Sequence, residues 1–533
     1  MTHSPSDARR LAARAYSDRP QGGEQFDSDL YTAAACRALD AAGSAAHGIS
    51  GYDLMQRAGE AALALLLSRW PSAQTLTICC GKGNNAGDGY VVAARARSLG
   101  LAVELLEVVP PARLAGDAAR ARQDALAAGV VPRADWPSAA SGEVIVDALL
   151  GTGLKGDLRP AFAAAVRWIN GTGRPVLALD LPTGVDADTG SVSDPVVHAD
   201  VTLQFVGRKL GLHTGPGVTA AGERHFAALG LGASLYHQHP GLPWLVWHDL
   251  PARARLPRRP RDAWKQQFGH VAVLGGDEDM GGAVILAAEA ALRAGAGLVT
   301  VITRTAHRGP LLARRPELMV VAADHQDQRA GALARATCLV VGPGLGRGVW
   351  GRELLEAALA TRKPLVLDAD GLQCLAALGA RPDAPVVATP HPGEAAALLG
   401  LSSREIQGDR PAAALALAAR LGGAVVLKGA GSLVAEADGD QSPRLLGVCG
   451  HGNPGMATAG TGDVLAGLVG GLLAQGLDPG GAAMAAACLH SAAGDRVAAT
   501  LGERSLLAGD LLPEVIALLA AAERDAHGRH GGF

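Results

Sequence analysis

The stretch Leu76-Thr-Ile-Cys-Cys80, followed directly by Gly81-Lys-Gly-Asn-Asn-Ala-Gly-Asp-Gly89, decides the fold of the N-terminal half. Its first five residues form a short apolar run, which is typical of a strand buried in a parallel sheet. The glycine-rich run leads into a helical pattern over Tyr90–Leu99. A strand, a glycine loop and a helix N-terminus together form a cradle of backbone amides for an anion. The spacing differs from the dinucleotide fingerprint at Ala86, and no Gly-Lys-Ser/Thr of a Walker loop is present.

Similar short apolar runs alternate with helical stretches along the whole chain. We predict two helices over Leu30–Leu67 and further strands at Val103–Val109, Val144–Leu149 and Val176–Leu179. The pattern restarts after residue 261, with strands predicted at Val271–Leu274, Leu298–Ile302, Cys338–Val341, Leu365–Leu367, Val386–Ala388 and Val425–Leu427. Strands that alternate with helices indicate parallel sheets covered on both faces, so we predict two doubly wound α/β domains.

The predicted division of the chain follows composition and periodicity. Residues 1–28 are a polar extension, 29–238 the first domain, 239–261 a linker with prolines and a basic run, 262–522 the second domain and 523–533 a flexible tail. Ligands of doubly wound sheets bind outside the carboxyl ends of the strands, where the distinctive residues of both halves lie.

The composition is that of an ordinary globular protein and excludes several classes of function. The 533 residues carry a net charge of −3, with 48% hydrophobic and 19% charged residues, which argues against a nucleic-acid binder or a disordered chain. No apolar run reaches the length of a membrane span, and the polar N-terminus does not fit a signal peptide. The seven scattered cysteines favour reduced thiols. We therefore expect a cytoplasmic protein that binds neither membrane nor nucleic acid.

Only six of the 48 basic residues are lysines, at positions 82, 155, 209, 265, 363 and 428. Lysine suits point contact with phosphate or a tunable pKa, which arginine does not imitate. Lys82, Lys155 and Lys428 lie in glycine-containing loops, so they attract attention as functional candidates.

Polar side chains also follow two further strands of the first half. Asp147 lies before the loop Gly151-Thr-Gly-Leu-Lys-Gly-Asp157, and Asp180 and Thr183 belong to the loop Asp180-Leu-Pro-Thr-Gly184. Carboxylate, amide and hydroxyl oxygens that converge at one sheet edge suit a hard cation.

With these loops in view, residues 30–235 resemble the NAD(P)H-hydrate epimerase domain, through the Asn-Asn-x-x-Asp and Asp-x-Pro-Thr-Gly motifs. The resemblance implies that a potassium ion is held by Asn85, Asp147 and Thr183. It implies hydrate contacts from Asn84, Asn85, Ala86, Gly87, Asp88, Gly151, Thr152, Gly153, Leu154, Lys155, Gly156, Asp157 and Asp180. Lys155 and Asp180 are the expected proton-exchanging residues. The family usually has glycine where Ala86 stands and serine where Thr183 stands; the Ala86 methyl would matter if that position needed positive φ.

The second half carries an independent set of motifs. Gly460-Thr-Gly-Asp463 opens a helix over Val464–Leu473, so backbone amides and a carboxylate lie together, as phosphoryl transfer requires. Upstream, predicted strands are followed by Gly342-Pro-Gly-Leu-Gly346, Asp368-Ala-Asp-Gly371, Thr389-Pro-His-Pro-Gly-Glu394 and Lys428-Gly-Ala-Gly-Ser432.

Given these motifs, residues 262–520 resemble the ribokinase-like ADP-dependent NAD(P)H-hydrate dehydratase domain. The resemblance implies hydrate contacts from Ala283, Gly344, His391 and Asp463. It implies nucleotide contacts from Lys428, Gly429, Ala430, Gly431, Ser432 and Gly462. Asp463 would activate the ring hydroxyl for phosphorylation by ADP, with Mg²⁺ expected from the phosphate chemistry and Glu394 a candidate ligand.

The leading hypothesis is thus a bifunctional repair enzyme with a Rossmann-like N-terminal and a ribokinase-like C-terminal domain. It would interconvert the R and S hydrates of NADH and NADPH (NADHX and NADPHX) and dehydrate the S form with ADP, giving AMP and phosphate. Two alternatives stay open at this point: a ribokinase-like kinase of a vitamin or sugar alcohol, and a dehydratase whose N-terminal half is a non-catalytic sensing or assembly module. ADP or ATP preference is open, and a homo-oligomer is expected.

Overall fold

A computed structural model describes residues 29–154, 156–437 and 442–528 of the chain. The chain divides into two compact units, Met1–Pro243 and Trp244–Phe533, called here the N-terminal and C-terminal units. The predicted polar extension 1–28 and residues 529–533 of the predicted tail lie outside the described residues.

The N-terminal unit alternates strands and helices. Its strands are β1 Leu30–Tyr31, β2 Thr75–Cys80, β3 Ala102–Glu107, β4 Pro132–Arg133, β5 Val144–Ala148, β6 Val176–Leu179, β7 Val201–Phe205, β8 Arg208–Lys209 and β9 Glu223–Ala227. Its helices are α1 Ala33–His47, α2 Gly51–Arg69, α3 Asn84–Ser98, α4 Gly116–Ala127, α5 Pro160–Gly171, α6 Gly217–Ala221 and α7 Ala233–Gln238.

The main sheet of this unit is parallel, with strand order β4-β3-β2-β5-β6-β7-β9. The chain order reverses between β2 and β5, and this switch point is where ligands of doubly wound sheets bind. The apolar face of α2 lies in the core, since Leu54, Ala58, Ala62 and Leu66 are all buried. A Ser50–Asp53 capping box begins that helix.

The C-terminal unit repeats the alternation. Its strands are β10 Trp244–Leu245, β11 His270–Leu274, β12 Leu298–Thr303, β13 Met319–Ala322, β14 Cys338–Val341, β15 Leu365–Leu367, β16 Val386–Ala388, β17 Ala424–Leu427, β18 Leu433–Glu436 and β19 Arg444–Cys449. Its helices are α8 Gly281–Arg293, α9 Arg308–Arg314, α10 Gln326–Arg335, α11 Val349–Leu359, α12 Ala369–Leu378, α13 Pro392–Leu399, α14 Ser403–Gly408, α15 Arg410–Leu421, α16 Thr461–Ala474, α17 Pro479–Leu501 and α18 Leu511–Gly528.

The sheet of the C-terminal unit has the order β10-β19-β18-β17-β16-β15-β14-β11-β12-β13. Strands β17, β18 and β19 pair antiparallel, and the remaining pairs are parallel. Helix α16 packs closely on α8, because a Cβ on Gly467 would overlap the Ala287 carbonyl oxygen. This packing fixes the N-terminus of α16 above the carboxyl ends of the parallel strands.

The structure differs from two of the predicted boundaries. The predicted linker 239–261 is not a separate segment, because β10 pairs with β19 and Arg253 forms ion pairs with Glu436 and Asp478. Residues 523–528 of the predicted flexible tail continue α18.

Within the described ranges, no helix is both long and apolar enough to cross a membrane.

Candidate active sites

The polar motif of the N-terminal unit lies in the first turns of α3. Gly83 precedes the helix with φ 86°, and the helix begins at Asn84 rather than at the predicted Tyr90. Ala86 therefore has helical backbone and needs no positive φ, so its methyl adds no strain. Asn84 is exposed, but Ala86 and Gly87 are buried, so the structure does not bring these two predicted contact residues to the surface.

Strands β2 and β5 come together at the switch point through a glycine. A Cβ on Gly81, directly after β2, would overlap the carbonyl oxygen of Leu149, directly after β5. Any side chain at Gly81 would force the two strand ends apart. This close approach places the start of α3 beside the 151–157 loop.

Asp147 and Thr183 form a buried hydrogen-bonded pair at this edge of the sheet. The Thr183 hydroxyl donates to Asp147 Oδ1 at 2.8 Å, and the Thr183 amide donates to Oδ2 at 2.8 Å. The Leu149 amide donates to Oδ1 at 3.1 Å. Burial raises the pKa of Asp147 to about 6, although these hydrogen bonds act to lower it. A nearby cation would favour the ionised form of this carboxyl.

Asn85 is 7% exposed, and neither polar atom of its side chain has a hydrogen-bond partner among the described residues. Leaving a buried polar group unpaired costs about 1–3 kcal/mol, so such a side chain calls for a ligand. A Cβ on Gly151 would stand 3.4 Å from Asn85 Cβ and 3.4 Å from Asp180 Oδ2. Asn85, Gly151 and Asp180 therefore line one small region at the ends of α3, β5 and β6.

Asp180 follows β6 and is a non-glycine residue with positive φ, 66°. Its Oδ1 accepts hydrogen bonds from the Lys209 ammonium and from the Phe205 amide, the latter at 3.3 Å. The Lys209 side chain is 2% exposed. The sequence marks Lys209 only through the scarcity of lysine, and its pairing with Asp180 depends on the tertiary fold.

Two further carboxyls lie in this electrostatic environment. Burial raises the pKa of Asp88 well above its usual range, and Asp180 and Asp40 raise it further. Burial also raises the pKa of Asp40. These shifts favour a carboxyl that retains its proton, which suits Asp88 to hydrogen-bond donation.

The 151–157 loop is partly open to solvent. Gly151, Thr152 and Leu154 are half-buried, and Gly153, Gly156 and Asp157 are exposed. Lys155, the predicted proton-exchanging lysine of this loop, lies outside the described residues.

The second candidate site lies where several strands of the C-terminal unit end. Gly342 follows β14, Asp368 follows β15, Thr389 follows β16 and Lys428 follows β17. These neighbouring strands are parallel, so their carboxyl ends meet at one edge, as predicted.

Lys428 and Asp368 form an ion pair at the centre of this edge. Lys428 Nζ donates to Asp368 Oδ1 at 2.7 Å, and the Thr389 hydroxyl donates to the same oxygen at 2.8 Å. Burial opposes the charge on Lys428, but Asp368 and Glu394 outweigh that effect and raise its pKa. The lysine is therefore held as a cation at a fixed position.

Glu394 is engaged in a helix cap. Its Oε2 accepts from the His391 amide at 2.7 Å, and His391 Nδ1 accepts from the Gly393 and Glu394 amides at 2.9 and 3.3 Å. Lys428 Nζ lies 3.7 Å from the same Oε2. Glu394 Oε1 lies 3.2 Å from His391 Nε2, so both carboxylate oxygens are engaged and Glu394 does not fit the role of a free magnesium ligand. The His391 side chain is 55% exposed, so part of its ring surface is open to a ligand although both ring nitrogens have partners.

Asp463 lies in the first turn of α16, next to the Lys428–Asp368 pair. A Cβ on Gly462 would stand 3.4 Å from both Asp368 Oδ2 and Lys428 Nζ. The pKa of Asp463 is raised to about 7, chiefly by burial and also by Asp368, while Lys428 acts to lower it. A carboxyl that titrates near neutral pH at a helix N-terminus is suited to general-base catalysis beside a bound phosphate.

The remaining predicted contact residues of this unit fall into two groups. Gly344 and Ala283 meet, since a Cβ on Gly344 would stand 3.2 Å from the Ala283 Cβ. The loop Lys428–Ser432 turns through Gly429 and Gly431, both with positive φ, and the Ser432 hydroxyl donates to the Gly429 carbonyl at 3.2 Å. Gly429 and Ala430 are exposed, and Ser432 is half-buried.

Two supporting residues were not identified from the sequence. The Arg410 guanidinium is fully buried and donates to the carbonyls of Leu427 and Lys428 at 3.1 and 3.3 Å. His490 Nε2 lies 2.8 Å from the Thr461 carbonyl, and burial lowers the pKa of His490 to about 4. A neutral His490 thus donates to the first turn of α16. Neither residue lies near a motif, so no local signal marks them.

Among the residues that the structure describes, no group of three or more His, Cys, Asp or Glu side chains is arranged to hold a metal ion. The potassium site that the family resemblance implies relies on amide and hydroxyl oxygens beside a single carboxylate, at Asn85, Asp147 and Thr183.

Family comparisons divide the chain as the two units do. Residues 271–516 match the family described as NAD(P)H-hydrate dehydratase. Residues 51–211 match the family described as YjeF-related protein N-terminus.

Several named proteins are similar to the chain over most of its length. A bifunctional NAD(P)H-hydrate repair enzyme of Coxiella burnetii is 46% identical, over 89% of this chain and 96% of that protein. One of Escherichia coli is 43% identical, over 87% of this chain and 88% of that protein. The crystal structure of an ADP/ATP-dependent NAD(P)H-hydrate dehydratase of Bacillus subtilis is 28% identical, covering 51% of this chain and 96% of that chain, with a TM-score of 0.45.

Proposed function

Because this chain belongs to the family of bifunctional NAD(P)H-hydrate repair enzymes, we propose that each unit holds one of the two active sites. The N-terminal unit interconverts the R and S hydrates of NADH and NADPH. The C-terminal unit dehydrates the S hydrate at the expense of ADP, giving AMP and phosphate. Asp463, with its raised pKa beside the Lys428–Asp368 pair, is the observation that carries the second assignment.

Epimerisation inverts a ring carbon that carries a hydroxyl and is bonded to the ring nitrogen. Breaking and re-forming either bond on the other face requires a group that exchanges a proton with the hydroxyl. Asp180 is our candidate, because its Oδ2 lies toward Gly151 and Asn85. Lys155 of the 151–157 loop remains proposed as a second proton-exchanging residue. The other hydrate contacts proposed for this site are Asn84, Asp88 and the 151–157 loop.

A potassium ion is proposed to bind to the oxygen donors of Asn85, Asp147 and Thr183. The unpartnered Asn85 amide and the fully buried Asp147 carboxyl support this proposal. A bound potassium ion would supply the positive charge that offsets the burial of Asp147.

In the C-terminal unit, Asp463 is proposed to take the proton of the hydrate's hydroxyl as phosphate is transferred to that oxygen. Phosphorylation converts hydroxide into a better leaving group, so loss of phosphate, together with a proton from the adjacent ring carbon, regenerates the dihydronicotinamide. The amides at the start of α16 and the Lys428 ammonium stabilise negative charge on the transferred group. Ala283, Gly344 and His391 are proposed to contact the hydrate.

The adenine nucleotide is proposed to bind along Lys428–Ser432 and at Gly462. The exposed backbone of Gly429 and Ala430 supports this placement. Magnesium would neutralise phosphate charge when bound. Because Glu394 does not fit as its ligand, we assign no residue to it. ADP rather than ATP is the proposed phosphoryl donor.

The proposal also includes the cellular compartment and the oligomeric state of the protein. All seven cysteines are buried free thiols, which supports a reducing compartment such as the cytoplasm. A homo-oligomer stays a prediction, and sedimentation of the purified chain would test it.

Nicotinamide absorbance recovery tests the proposed function. The full chain is incubated with an R/S mixture of NADH hydrate, magnesium and potassium, with ADP present or absent. We expect complete ADP-dependent recovery, faster than spontaneous epimerisation. With Asp180→Ala, the recovery of absorbance should stop at the fraction contributed by the S hydrate. With Asp463→Asn, almost no absorbance should be recovered.

Each other outcome points to one of the alternatives. Wild-type recovery that stops at the S fraction would leave the N-terminal unit non-catalytic. A stable phosphate ester that accumulates without recovery of absorbance would indicate a ribokinase-like kinase instead.

A further inference from the structure

Lys209 is a buried lysine that is held from several sides. Its Nζ donates to Asp180 Oδ1 and, at 2.6 Å, to the Phe205 carbonyl. Its backbone amide donates to Gln204 Oε1 at 2.7 Å. Strand β8, which contains Lys209, pairs with β1 with Tyr31 opposite Lys209. Side chain and backbone are therefore both anchored, so the ammonium has a fixed position.

The charges around Lys209 keep it cationic. Burial works against its charge, but Asp180, Cys36 and Asp40 outweigh burial and raise its pKa. Asp88 of α3 shares the same environment, since its pKa responds to both Asp180 and Lys209. One ammonium thus lies among three carboxyl groups, and of these it donates a hydrogen bond to Asp180.

The Lys209 ammonium bonds to one of the two carboxylate oxygens of Asp180 and leaves the other free of it. Oδ1 accepts from both Lys209 and the Phe205 amide, whereas Oδ2 lies toward Gly151. The Asp180 amide donates to the Leu203 carbonyl at 2.7 Å, which fixes the backbone at its positive φ. The carboxylate is therefore locked in one orientation, with Oδ2 facing the region lined by Asn85.

We infer that Lys209 is the positioning residue of the epimerisation site, holding Asp180 by Oδ1 so that Oδ2 exchanges the proton with the hydrate. This inference rests on the proposed assignment of epimerisation to the N-terminal unit. Lys209 does not itself contact the hydrate; it acts through the direction in which it fixes the Asp180 carboxylate. Misplacement of a reacting group by about 1 Å costs about 100-fold in rate, so such fixing matters.

The test compares Lys209→Met, Asp180→Asn and the double variant in the full chain. Epimerisation is measured as the rate at which the R hydrate is consumed in the presence of excess ADP-dependent dehydration. We expect Lys209→Met to lower kcat for the R hydrate about 100-fold, with KM changed less than about threefold. Adding Lys209→Met to Asp180→Asn should cause no further loss, because the two residues act as one unit.

Dehydration of the pure S hydrate by the same chain gives an internal reference for amount and folding. Arg97→Met, which removes an exposed positive charge from the same unit, is the matched control. If the wild type does not consume the R hydrate, the proposed function fails before Lys209 is tested. If the wild type does, unchanged kcat in Lys209→Met, or an additional loss in the double variant, would overturn the inference.

Thermal unfolding separates positioning from simple loss of structure. The double variant removes both charges of the buried pair, so it should unfold at a higher temperature than Lys209→Met while remaining as inactive as Asp180→Asn. If Lys209→Met instead consumed the R hydrate at the wild-type rate whenever the temperature was well below its own unfolding transition, Lys209 would be structural and the inference wrong.

Discussion

The Lys428 ammonium and the Asp368 carboxylate form an ion pair beside the first turn of α16, with Nζ 2.7 Å from Oδ1. The Cβ position of Gly462 is 3.4 Å from each partner. The pair thus places a fixed positive charge next to the amides of a helix N-terminus. This arrangement gives a phosphate group two sources of favourable electrostatics, and it lies beside Asp463.

Asp368→Asn should destabilise the C-terminal unit, because it leaves the Lys428 ammonium, which is 22% exposed, less compensated. Removing one partner of a buried pair costs about 3–5 kcal/mol. Urea denaturation of the full chain would measure this loss. The matched control is Asp383→Asn, whose partner Arg362 is 75% exposed and which is itself 81% exposed. If the two substitutions lowered the free energy of unfolding equally, the Lys428–Asp368 pair would not stabilise the unit more than an exposed ion pair does.

Asp463 should give the dehydration reaction an acid limb near neutral pH. Its pKa is raised to about 7, so the carboxylate that accepts the proton is lost as the pH falls below about 7. Single-turnover dehydration of the S hydrate, measured from pH 5 to 9, would locate this limb. Asp463→Asn should lower the dehydration rate by a factor of about 10²–10⁴, which is the usual contribution of a general base. A rate that stays flat down to pH 5 would exclude this role.

Potassium should stabilise the N-terminal unit if Asn85, Asp147 and Thr183 bind it. A ligand that binds only the folded state raises the free energy of unfolding as its concentration increases. Calorimetry of the full chain in potassium chloride and in tetramethylammonium chloride would show the shift. Asp147→Asn should abolish the difference, whereas Asp135→Asn, at an exposed side chain, should retain it. Equal transition temperatures of the wild type in both salts would argue against the site.

Gly81→Ala should disrupt the switch point of the N-terminal sheet. The added methyl overlaps the Leu149 carbonyl oxygen, and overpacking of this kind costs about 1–3 kcal/mol. Gly153→Ala is the control, since a Cβ there meets no atom of the described residues within 4 Å. Denaturant unfolding compares the two. A Gly81→Ala protein as stable as the control would show that the strand ends separate without cost.

Arg410→Met should loosen the loop that follows β17. The substitution removes the donors to the Leu427 and Lys428 carbonyls, and a buried acceptor left without a partner costs about 1–3 kcal/mol. We expect weaker ADP binding by calorimetric titration, together with reduced stability. Arg420→Met, on the exposed face of the same helix, provides the comparison. Unchanged ADP affinity in Arg410→Met would show that Arg410 does not support nucleotide binding by this loop.

Much of the architecture was predictable because parallel sheets impose local rules. The strand bounds of Val176–Leu179, Cys338–Val341, Leu365–Leu367 and Val386–Ala388 agree with the prediction residue for residue. Strands β7, β9 and β13 were not predicted, because their short runs lack a distinctive flanking motif. The start of α3 was misplaced because glycines were interpreted as loop residues, whereas they lie in helix turns that pack closely against neighbours.

The sequence by itself determined the strand-end loops of both units and the candidates Asp147, Asp180 and Asp463, since the first two lie at the ends of recognisable strands and the third opens a recognisable helix. Only the tertiary structure decided their partners. Lys209 reaches Asp180 across 29 positions, and Lys428 reaches Asp368 across 60. Hydrophobic periodicity reports which face of an element is buried, but it carries no information about which distant side chain meets it. Ionic pairing and pKa shifts depend on burial and through-space distance, so they exist only once the chain has folded.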